Sequence, residues 1–217
     1  MNADQPSWRV RWRRFRRENL PDPMIRLLRR ELDGMGNVLD VGCGSDSPLQ
    51  FVHNAGRKVG VDAFAPSIEA SRARGLHDEY LQLQLEDLAV APKSYDAVVL
   101  LDLIEHFEKD AGLAFLRRLE GIAKRKVLVF TPNGFLPQPP YEDNPWQLHR
   151  SGWTVPEFRG LGYRVEGVLG WKPLRGALNR PRFQPWPLWE RVANASRFVT
   201  ASRPQLDAGL LAVKDLA

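Results

Sequence analysis

Short apolar runs alternate with segments of helical periodicity along most of the 217-residue chain. One run, residues 95–102, is almost continuously apolar, as in a central parallel strand that is buried on both faces. Further strands are predicted by similar runs at 37–42, 58–62, 79–83, 126–131, 163–169 and 207–214. This alternation of strands with helical segments predicts an α/β fold with a mainly parallel sheet.

Helices are predicted where apolar residues recur at spacings of three and four. The first follows Pro21-Asp22-Pro23, in which Asp22 can cap the helix and Pro23 can take its first position. We expect this helix to cover the sheet or a ligand cleft. Other helices are predicted over about 47–55, 66–74, 113–119 and 187–199.

The composition fits one globular domain with appendages. Hydrophobic residues make up 43% and charged residues 26% of the chain, which is ordinary for a soluble protein. Because Cys43 is its only cysteine, an intramolecular disulfide and a cysteine-based zinc site are excluded. The N-terminus lacks the apolar core of a signal peptide, and no apolar run is long enough to span a bilayer. We therefore expect a cytoplasmic protein.

The net charge of +5 is unevenly distributed. Residues 1–30 and residues 172–205 each carry +6, whereas the 31–171 segment between them carries −6. These basic flanks could contact nucleic acid, a phosphorylated substrate or an anionic membrane surface. Alternatively, their arginines simply pack on the acidic core.

Two segments stand apart from the alternating core. Residues 1–35 form a basic N-terminal arm and the covering helix, and the arm interleaves arginine with aromatic residues over 7–17. That pattern suits single-stranded nucleic acid or docking over an apolar surface. Within the remaining domain, residues 36–217, an insertion over 171–205 is rich in proline, tryptophan and arginine. It is predicted to cover the active site as a lid or to lie on a membrane surface.

The first strand ends in the motif Val38-Leu-Asp-Val-Gly-Cys-Gly44. Gly42 and Gly44 allow a sharp turn and a close approach of the backbone to a ligand. A dinucleotide-binding loop would have a third glycine, which is missing here. Asp40, just before the turn, suits a ligand that carries an ammonium group.

This motif resembles the first motif of the class I S-adenosylmethionine (SAM)-dependent methyltransferases. Gly-Val-Asp at 60–62, the strand at 95–102 and Thr-Pro-Asn at 131–133 follow in that family's order. Asp102-Leu-Ile-Glu-His106 resembles a stretch of the ubiquinone-biosynthesis O-methyltransferases and related type 11 and type 23 methyltransferases. The resemblance covers 36–170 and the last strand. It implies a Rossmann-like seven-stranded sheet with helices on both faces, SAM as cofactor and S-adenosylhomocysteine (SAH) as product.

The resemblance assigns the methionine end of SAM to the first loop, and the assigned residues are Asp40, Gly42, Cys43 and Gly44. Asp62 ends the second strand about twenty residues after the glycine loop, where an acid can accept hydrogen bonds from both ribose hydroxyls. Ala63 and Phe64 would then lie beside the adenine, with the Phe64 ring available for stacking.

Many members of this family place an Asp against the adenine amino group. The matching position here is Gln84, beside Leu85, and the amide oxygen of a glutamine can still accept that hydrogen bond. At the end of the fourth strand, Leu101 and Asp102 complete the predicted cofactor contacts.

Methyl transfer needs an acceptor atom aligned with the methyl carbon and the sulfur, and a hydroxyl acceptor must lose its proton. His106 is the predicted general base, because an unperturbed imidazole titrates at about 6.5. Glu105 is predicted to assist it. Alternatively, His106 only shapes the pocket. Asn133, His149 and Trp153 are candidates for the acceptor pocket.

The same stretch allows a metal hypothesis. Some relatives, including small-RNA 2′-O-methyltransferases, bind a divalent ion through acid-x-x-Glu-His and a later His. The corresponding residues here are Asp102, Glu105, His106 and His149. An ion bound there would lower the pKa of vicinal hydroxyls. Because similar patterns occur in methyltransferases without a metal, we predict no metal and retain this set as the alternative.

The sequence therefore predicts a SAM-dependent O-methyltransferase that acts on a small-molecule, glycan or lipid-linked anionic acceptor. One alternative is an RNA 2′-O-methyltransferase with a divalent metal, which would contact nucleic acid through the basic flanks. Another is a non-catalytic SAM-binding partner subunit. Peripheral membrane contact and the oligomeric state stay open.

Overall fold

The computed structural model describes residues 23–138, 145–176 and 180–216. The arginine-aromatic pattern at 7–17 therefore lies outside the described residues. Within them, seven strands form one sheet. They are β1 (Asn37–Val41), β2 (Arg57–Asp62), β3 (Glu79–Gln82), β4 (Tyr95–Leu101), β5 (Ala123–Pro132), β6 (Arg164–Gly167) and β7 (Gly209–Asp215).

The order of strands across the sheet is β3-β2-β1-β4-β5-β7-β6. The first five strands pair in parallel, whereas β7 runs antiparallel to both β5 and β6. The predicted seven-stranded, mainly parallel α/β sheet is thus confirmed. Since the order reverses beside β1, the carboxyl ends of β1 and β4 flank the crevice where such sheets bind ligands.

Helices cover both faces of the sheet. They are α1 (Pro23–Glu31), α2 (Ala65–Ala73), α3 (Lys109–Ile122), α4 (Val155–Gly160) and α5 (Trp186–Thr200). On one face, Leu28 of α1 belongs to an apolar cluster with Val99 and Leu128. On the other face, Leu119 of α3 belongs to a second cluster with Val98. Helix α1 therefore covers the sheet, one of the two predicted positions.

An ionic cluster fixes α1 to the sheet. Glu31 is almost fully buried, and its carboxylate pairs with Arg30, with Lys126 of β5 and with Arg164 of β6. Burial alone would raise the pKa of Glu31, but hydrogen bonds from Arg164, Lys126 and Arg30 outweigh it and lower the pKa to about 2. The carboxylate is therefore ionised at neutral pH and holds three elements together.

The helix predicted over 47–55 is mostly absent. The chain forms only a 3₁₀ turn at Pro48–Phe51, with Ser47 as its N-cap. At Gly56 the backbone must pass close to Gly36, since a Cβ at Gly56 would lie 2.4 Å from the Gly36 carbonyl oxygen. The chain therefore leaves the helical path early in order to enter β2.

The 171–205 insertion is anchored on the sheet by one buried carboxylate. Asp207 accepts hydrogen bonds from the backbone N–H groups of Val168, Leu169 and Gly170 and from the Thr200 hydroxyl of α5. Helix α5 thus sits against the β6–β7 connection. Its outward side chains remain exposed, and the most exposed are Leu188, Phe198 and Val199.

None of the helices in the described ranges is long and apolar enough to cross a membrane.

Candidate functional site

A cleft of about 310 Å³ opens at the carboxyl edge of the sheet. We call it the glycine-loop cleft, since the loop after β1 forms one wall and the ends of β2 and β4 form the others. Half of the predicted site residues line it, and these are Gly42, Gly44, Asp62, Ala63, Gln84, Leu85, Asp102 and His106. The fold thus brings together residues from four separate strand ends.

Both glycines of the loop have left-handed backbone conformations, with φ of +71° at Gly42 and +59° at Gly44. Side chains rarely tolerate these angles. A Cβ at Gly42 would lie 2.7 Å from Leu103, whereas a Cβ at Gly44 would meet nothing within 4 Å. The backbone at Gly44 therefore faces open space in the cleft, as the close approach to a ligand requires.

Asp62 holds the glycine loop in place. One carboxylate oxygen accepts a hydrogen bond from the Gly44 N–H at 2.9 Å, and the other accepts one from the Phe64 N–H at 2.8 Å. Burial raises the pKa of Asp62 and these N–H donors partly offset the rise. Each oxygen still has a lone pair for a ligand hydroxyl.

Asp40 and Cys43 do not line the cleft, and their contact with the cofactor stays a prediction. Asp40 is buried; its Oδ2 accepts a hydrogen bond from Ser47 at 2.5 Å and lies 2.8 Å from His77 Nε2. Its carboxylate therefore stabilises the glycine loop through buried contacts on the side away from the cleft. Cys43 is buried beside Gly60, and burial raises the pKa of its thiol.

Phe64 and Leu101 are partly buried and are also absent from the cleft lining. Phe64 caps α2, where its N–H is held by Asp62. Leu101 packs against the apolar cluster beneath α1. Contact of either side chain with a cofactor stays a prediction.

His106 borders the cleft from the 3₁₀ turn Ile104–His106, which follows β4. Its Nδ1 lies 3.1 Å from the Leu148 carbonyl oxygen, so Nδ1 carries the proton and Nε2 keeps its lone pair. Burial lowers the pKa of His106, the Leu148 carbonyl raises it, and His149 lowers it further. At neutral pH the ring is therefore a neutral proton acceptor.

His149 lies directly behind His106. The two rings meet edge to face, with centroids 4.9 Å apart. Nδ1 of His149 lies 2.6 Å from the Leu136 carbonyl oxygen, which leaves Nε2 unprotonated in the same way. Burial lowers the pKa of His149. Although His149 borders the catalytic candidate, it does not line the cleft.

Glu105 lies close to both His106 and His149. It is buried; Oε2 accepts a hydrogen bond from Thr131 at 3.0 Å, and Oε1 is buried without a hydrogen-bond partner among the described residues. Burial, together with the charge of Asp102, raises the pKa of Glu105. Glu105, His106 and His149 each offer one ligand atom within 4.8 Å of the other two. Asp102 lies outside this group, so the described residues bring three of the four proposed ligands together.

Asp102 ends β4 in a strained conformation. Its φ is +51°, and its N–H donates to the Phe130 carbonyl oxygen at 3.0 Å. Asp and Asn are among the few residues that tolerate this region, which is common at functional sites. Asp102 lines the cleft, and desolvation there raises the pKa of its carboxyl group.

Two of the predicted acceptor residues have roles in packing and in turn structure. Trp153 is completely buried; it stacks on Phe158 and lies under Lys109, so it cannot contact an acceptor. The Asn133 amide donates to the carbonyl oxygens of Pro204 and Asp207 and fixes the turn before β7.

Several site residues were missed by reasoning from the sequence. His77 supports Asp40, yet 37 residues separate the two and no local pattern connects them. Other missed residues line the cleft directly, and they are Ser67, Glu86, Leu103, Phe107, Glu108, Ala111, Gln147 and Arg150. Arg150 follows the predicted His149, so inspection of that motif's neighbours could have found it.

Comparisons with known proteins agree with this geometry. Residues 39–130 match a family model described as a methyltransferase domain. The chain is 29% identical over 176 residues to the ubiquinone biosynthesis O-methyltransferase of Methylocella silvestris. That match covers 79% of this chain but only 60% of the relative's length.

Solved structures share the fold. A SAM-dependent methyltransferase from Archaeoglobus fulgidus matches with a TM-score of 0.58 at 16% identity, over 94% of this chain and 99% of that one. A magnesium protoporphyrin IX methyltransferase from Synechocystis PCC 6803, with bound SAH, matches with a TM-score of 0.53 at 13% identity. That match covers 100% of this chain and 90% of the other. The sheet topology, the matched domain and the O-methyltransferase relative all support a class I SAM-dependent methyltransferase.

Proposed function

We propose that this chain transfers the methyl group of SAM to a hydroxyl oxygen of a small-molecule, glycan or lipid-linked anionic acceptor. The matched methyltransferase domain and the O-methyltransferase relative support the reaction class. SAM would occupy the glycine-loop cleft, with Asp62 at the ribose hydroxyls, Gly44 near the methionine end and Gln84 near the adenine.

The observation that carries the proposal is the placement of His106. It borders the cleft, and its Nε2 lone pair is unprotonated at neutral pH because Nδ1 faces the Leu148 carbonyl oxygen. In the reaction, the acceptor oxygen attacks the methyl carbon as the carbon–sulfur bond breaks. The sulfur keeps the bonding electron pair and becomes the neutral thioether of SAH, while the hydroxyl proton passes to Nε2 of His106.

The remaining residues support this step through position. Asp62 and the glycine loop would orient the cofactor, so that attack occurs in line with the sulfonium. Glu105 accepts a hydrogen bond from Thr131, and its carboxylate lies in the same group of side chains as His106 and His149. Burial and the charge of Asp102 raise the pKa of Glu105, which disfavours a second negative charge there.

The test is transfer of labelled methyl from SAM into a fractionated cell extract, separated into lipid, glycan, small-molecule, RNA and protein fractions. We expect label in the small-molecule, glycan or lipid fraction. Label confined to RNA or protein would contradict the proposal. The wild-type chain should be compared with His106→Asn, which removes Nε2 and keeps a donor near the Nδ1 position.

A metal-assisted reaction is the second candidate, and the Glu105 group favours it. A buried carboxylate oxygen without a partner, next to two imidazoles with unprotonated Nε2 atoms, fits a divalent cation. Such an ion would polarise vicinal acceptor hydroxyls, as in the RNA alternative. Loss of transfer in EDTA, restored by Mg²⁺, Mn²⁺ or Zn²⁺, would support this candidate. Full activity in EDTA would reject it.

A partner subunit that binds SAM without catalysis is the remaining alternative. It differs from the proposal in one measurable respect: the wild-type chain would bind SAM but would label no fraction. Purified chain supplemented with extract protein would then recover the transfer, and His106→Asn would leave the recovered rate unchanged.

A further inference from the structure

A second and larger cavity, of about 550 Å³, lies beside the end of β5. We call it the β5 cavity. Its walls come from the 132–136 segment after β5, the 171–176 turn with Arg182, and the 205–208 turn before β7. Its volume is within the range of pockets that bind small molecules. The glycine-loop cleft uses none of these residues.

The charged side chains that line the β5 cavity are all basic. Its lining contains Lys172, Arg175 and Arg182 and, among the described residues, no acid. Arg175 is neutralised by Glu190 of α5. In the part of the chain that the structure describes, neither Lys172 nor Arg182 makes an ion pair; Lys172 Nζ donates only to the Asn133 carbonyl oxygen, at 2.5 Å. Two cations therefore remain available to a ligand anion.

Large apolar side chains surround the same opening. Phe135 is 58% exposed, Trp171 46% and Leu206 42%, and all three line the cavity. A group of large apolar side chains that stays exposed to solvent is unusual, and such groups often mark a binding site. An apolar or aromatic body placed between them would remove this surface from water, which is favourable.

Two residues lie between the two cavities. Leu136 lines the β5 cavity, and its backbone carbonyl oxygen accepts the hydrogen bond from His149. The His149 ring contacts His106, which lines the glycine-loop cleft. Leu136 and His149 therefore separate a molecule in the β5 cavity from the proposed base.

We propose that the β5 cavity binds a small amphipathic anion, with its carboxylate, sulfonate or phosphate group at Lys172 and Arg182 and its apolar body against Phe135 and Trp171. Binding itself is independent of the proposed function.

The test uses 8-anilinonaphthalene-1-sulfonate, an aromatic anion, and its uncharged analogue N-phenyl-1-naphthylamine, both followed by fluorescence titration of the full chain. The double variant Lys172→Met, Arg182→Met removes two charges at the cavity. The control Arg117→Met, Arg159→Met removes two exposed charges elsewhere. Circular dichroism and Tm establish that each variant is folded, and Arg182→Met alone replaces the double variant if that one is unstable.

We expect the cavity variant to bind the sulfonate about tenfold more weakly than wild type. The control variant should bind it as wild type does, and the uncharged probe should be unaffected in both. Equal sulfonate affinity in the cavity and control variants would overturn the proposal. So would a Phe135→Ala variant that binds both probes as wild type does.

A second measurement keeps the two proposals distinguishable. The cavity variant should bind SAH with wild-type affinity, because both substitutions lie outside the glycine-loop cleft. A parallel loss of SAH and sulfonate binding would overturn the assignment of the anion to the β5 cavity. If wild type labels no fraction, the proposed function fails, whereas the sulfonate titration still decides whether the cavity is an anion site.

Discussion

His106 and His149 lie edge to face, with their ring planes inclined by 72°. Each Nδ1 faces a backbone carbonyl oxygen, that of Leu148 or Leu136, so both Nε2 atoms are unprotonated. Only His106 borders the cleft. Proton removal is therefore assigned to His106, while His149 supports its ring and lowers its pKa.

Replacement of the proposed base should separate chemistry from binding. His106→Asn should lower methyl transfer by about 10²–10⁴-fold, because the residue no longer accepts a proton. Its affinity for SAH should stay close to that of wild type. The matched control is His53→Asn, since His53 is exposed and lies outside the cleft. Equal loss of SAH binding and transfer would assign His106 to cofactor binding instead.

The pH profile should reflect the environment of His106. Burial lowers its pKa, so the neutral, basic form exists at lower pH than for free imidazole. We expect kcat/KM to rise with pH through a midpoint below about 6.5 and then to level off. A midpoint well above that value, or a profile retained in His106→Asn, would point to another base.

Asp62 should control cofactor affinity through two routes. Asp62→Asn replaces one acceptor oxygen by an NH₂ group, which faces either the Gly44 or the Phe64 N–H. The same change removes the acceptor that we propose for a ribose hydroxyl. We expect SAM affinity to fall by at least about tenfold, measured by calorimetry. The control is Asp87→Asn, which changes an exposed acid shortly after Gln84 and should alter SAM affinity less than twofold.

The ion pairs of Glu31 should make the free energy of unfolding depend on pH in the acidic range. The pKa of Glu31 is lowered to about 2 in the folded state, so its contribution is complete above the unfolded value near 4.5 and is lost as pH falls toward 2. We estimate that contribution as about 3 kcal/mol at neutral pH. Urea unfolding of Glu31→Gln at pH 7 should show a loss of this order, and the difference from wild type should shrink at pH 3.

The exposed pair of Glu79 with Arg57 provides the control for this experiment. Glu79→Gln should cost less than about 1 kcal/mol at either pH, since exposed ion pairs contribute little. Equal costs for the two variants would show that Glu31 is not the pH-sensitive anchor of α1.

Strand positions were largely predictable, since buried parallel strands form continuous apolar runs. The 95–102 run became β4 (Tyr95–Leu101), and 58–62 became β2 with Arg57 added. The residues that end those strands, such as Asp62 and Asp102, were predictable for the same reason. Parallel topology brings strand ends to one edge of the sheet.

Residues that face away from the cleft could not be identified from their motifs. Asp40 lies in the glycine motif, but its pairing with His77 turns its carboxylate inward. Trp153 was assigned to the acceptor on residue type alone, whereas the bridge to Asn133 and the Lys109 side chain bury it. In both cases the side-chain direction depends on long-range partners that sequence spacing does not specify.

For the 171–205 insertion, the sequence predicted the helix but not its position in the fold. Its helical periodicity predicted a helix over 187–199, close to α5 (Trp186–Thr200). Helix α5 does not line the glycine-loop cleft, so a lid over the active site stays a prediction. Its position beside β6 and β7 is set by the hydrogen bonds that Asp207 accepts, and those partners come from distant parts of the chain.

The central claim is that the glycine-loop cleft holds SAM, and calorimetric titration with the inert product SAH tests it most directly. Ala111 lines the cleft from α3, whereas Ala114, one turn later, is exposed outside it. Wild type and Ala114→Trp should each bind one equivalent of SAH, and Ala111→Trp, which fills the cleft, should bind at least about tenfold more weakly. SAH affinity that is unchanged in Ala111→Trp, or absent in the wild type, would contradict the account.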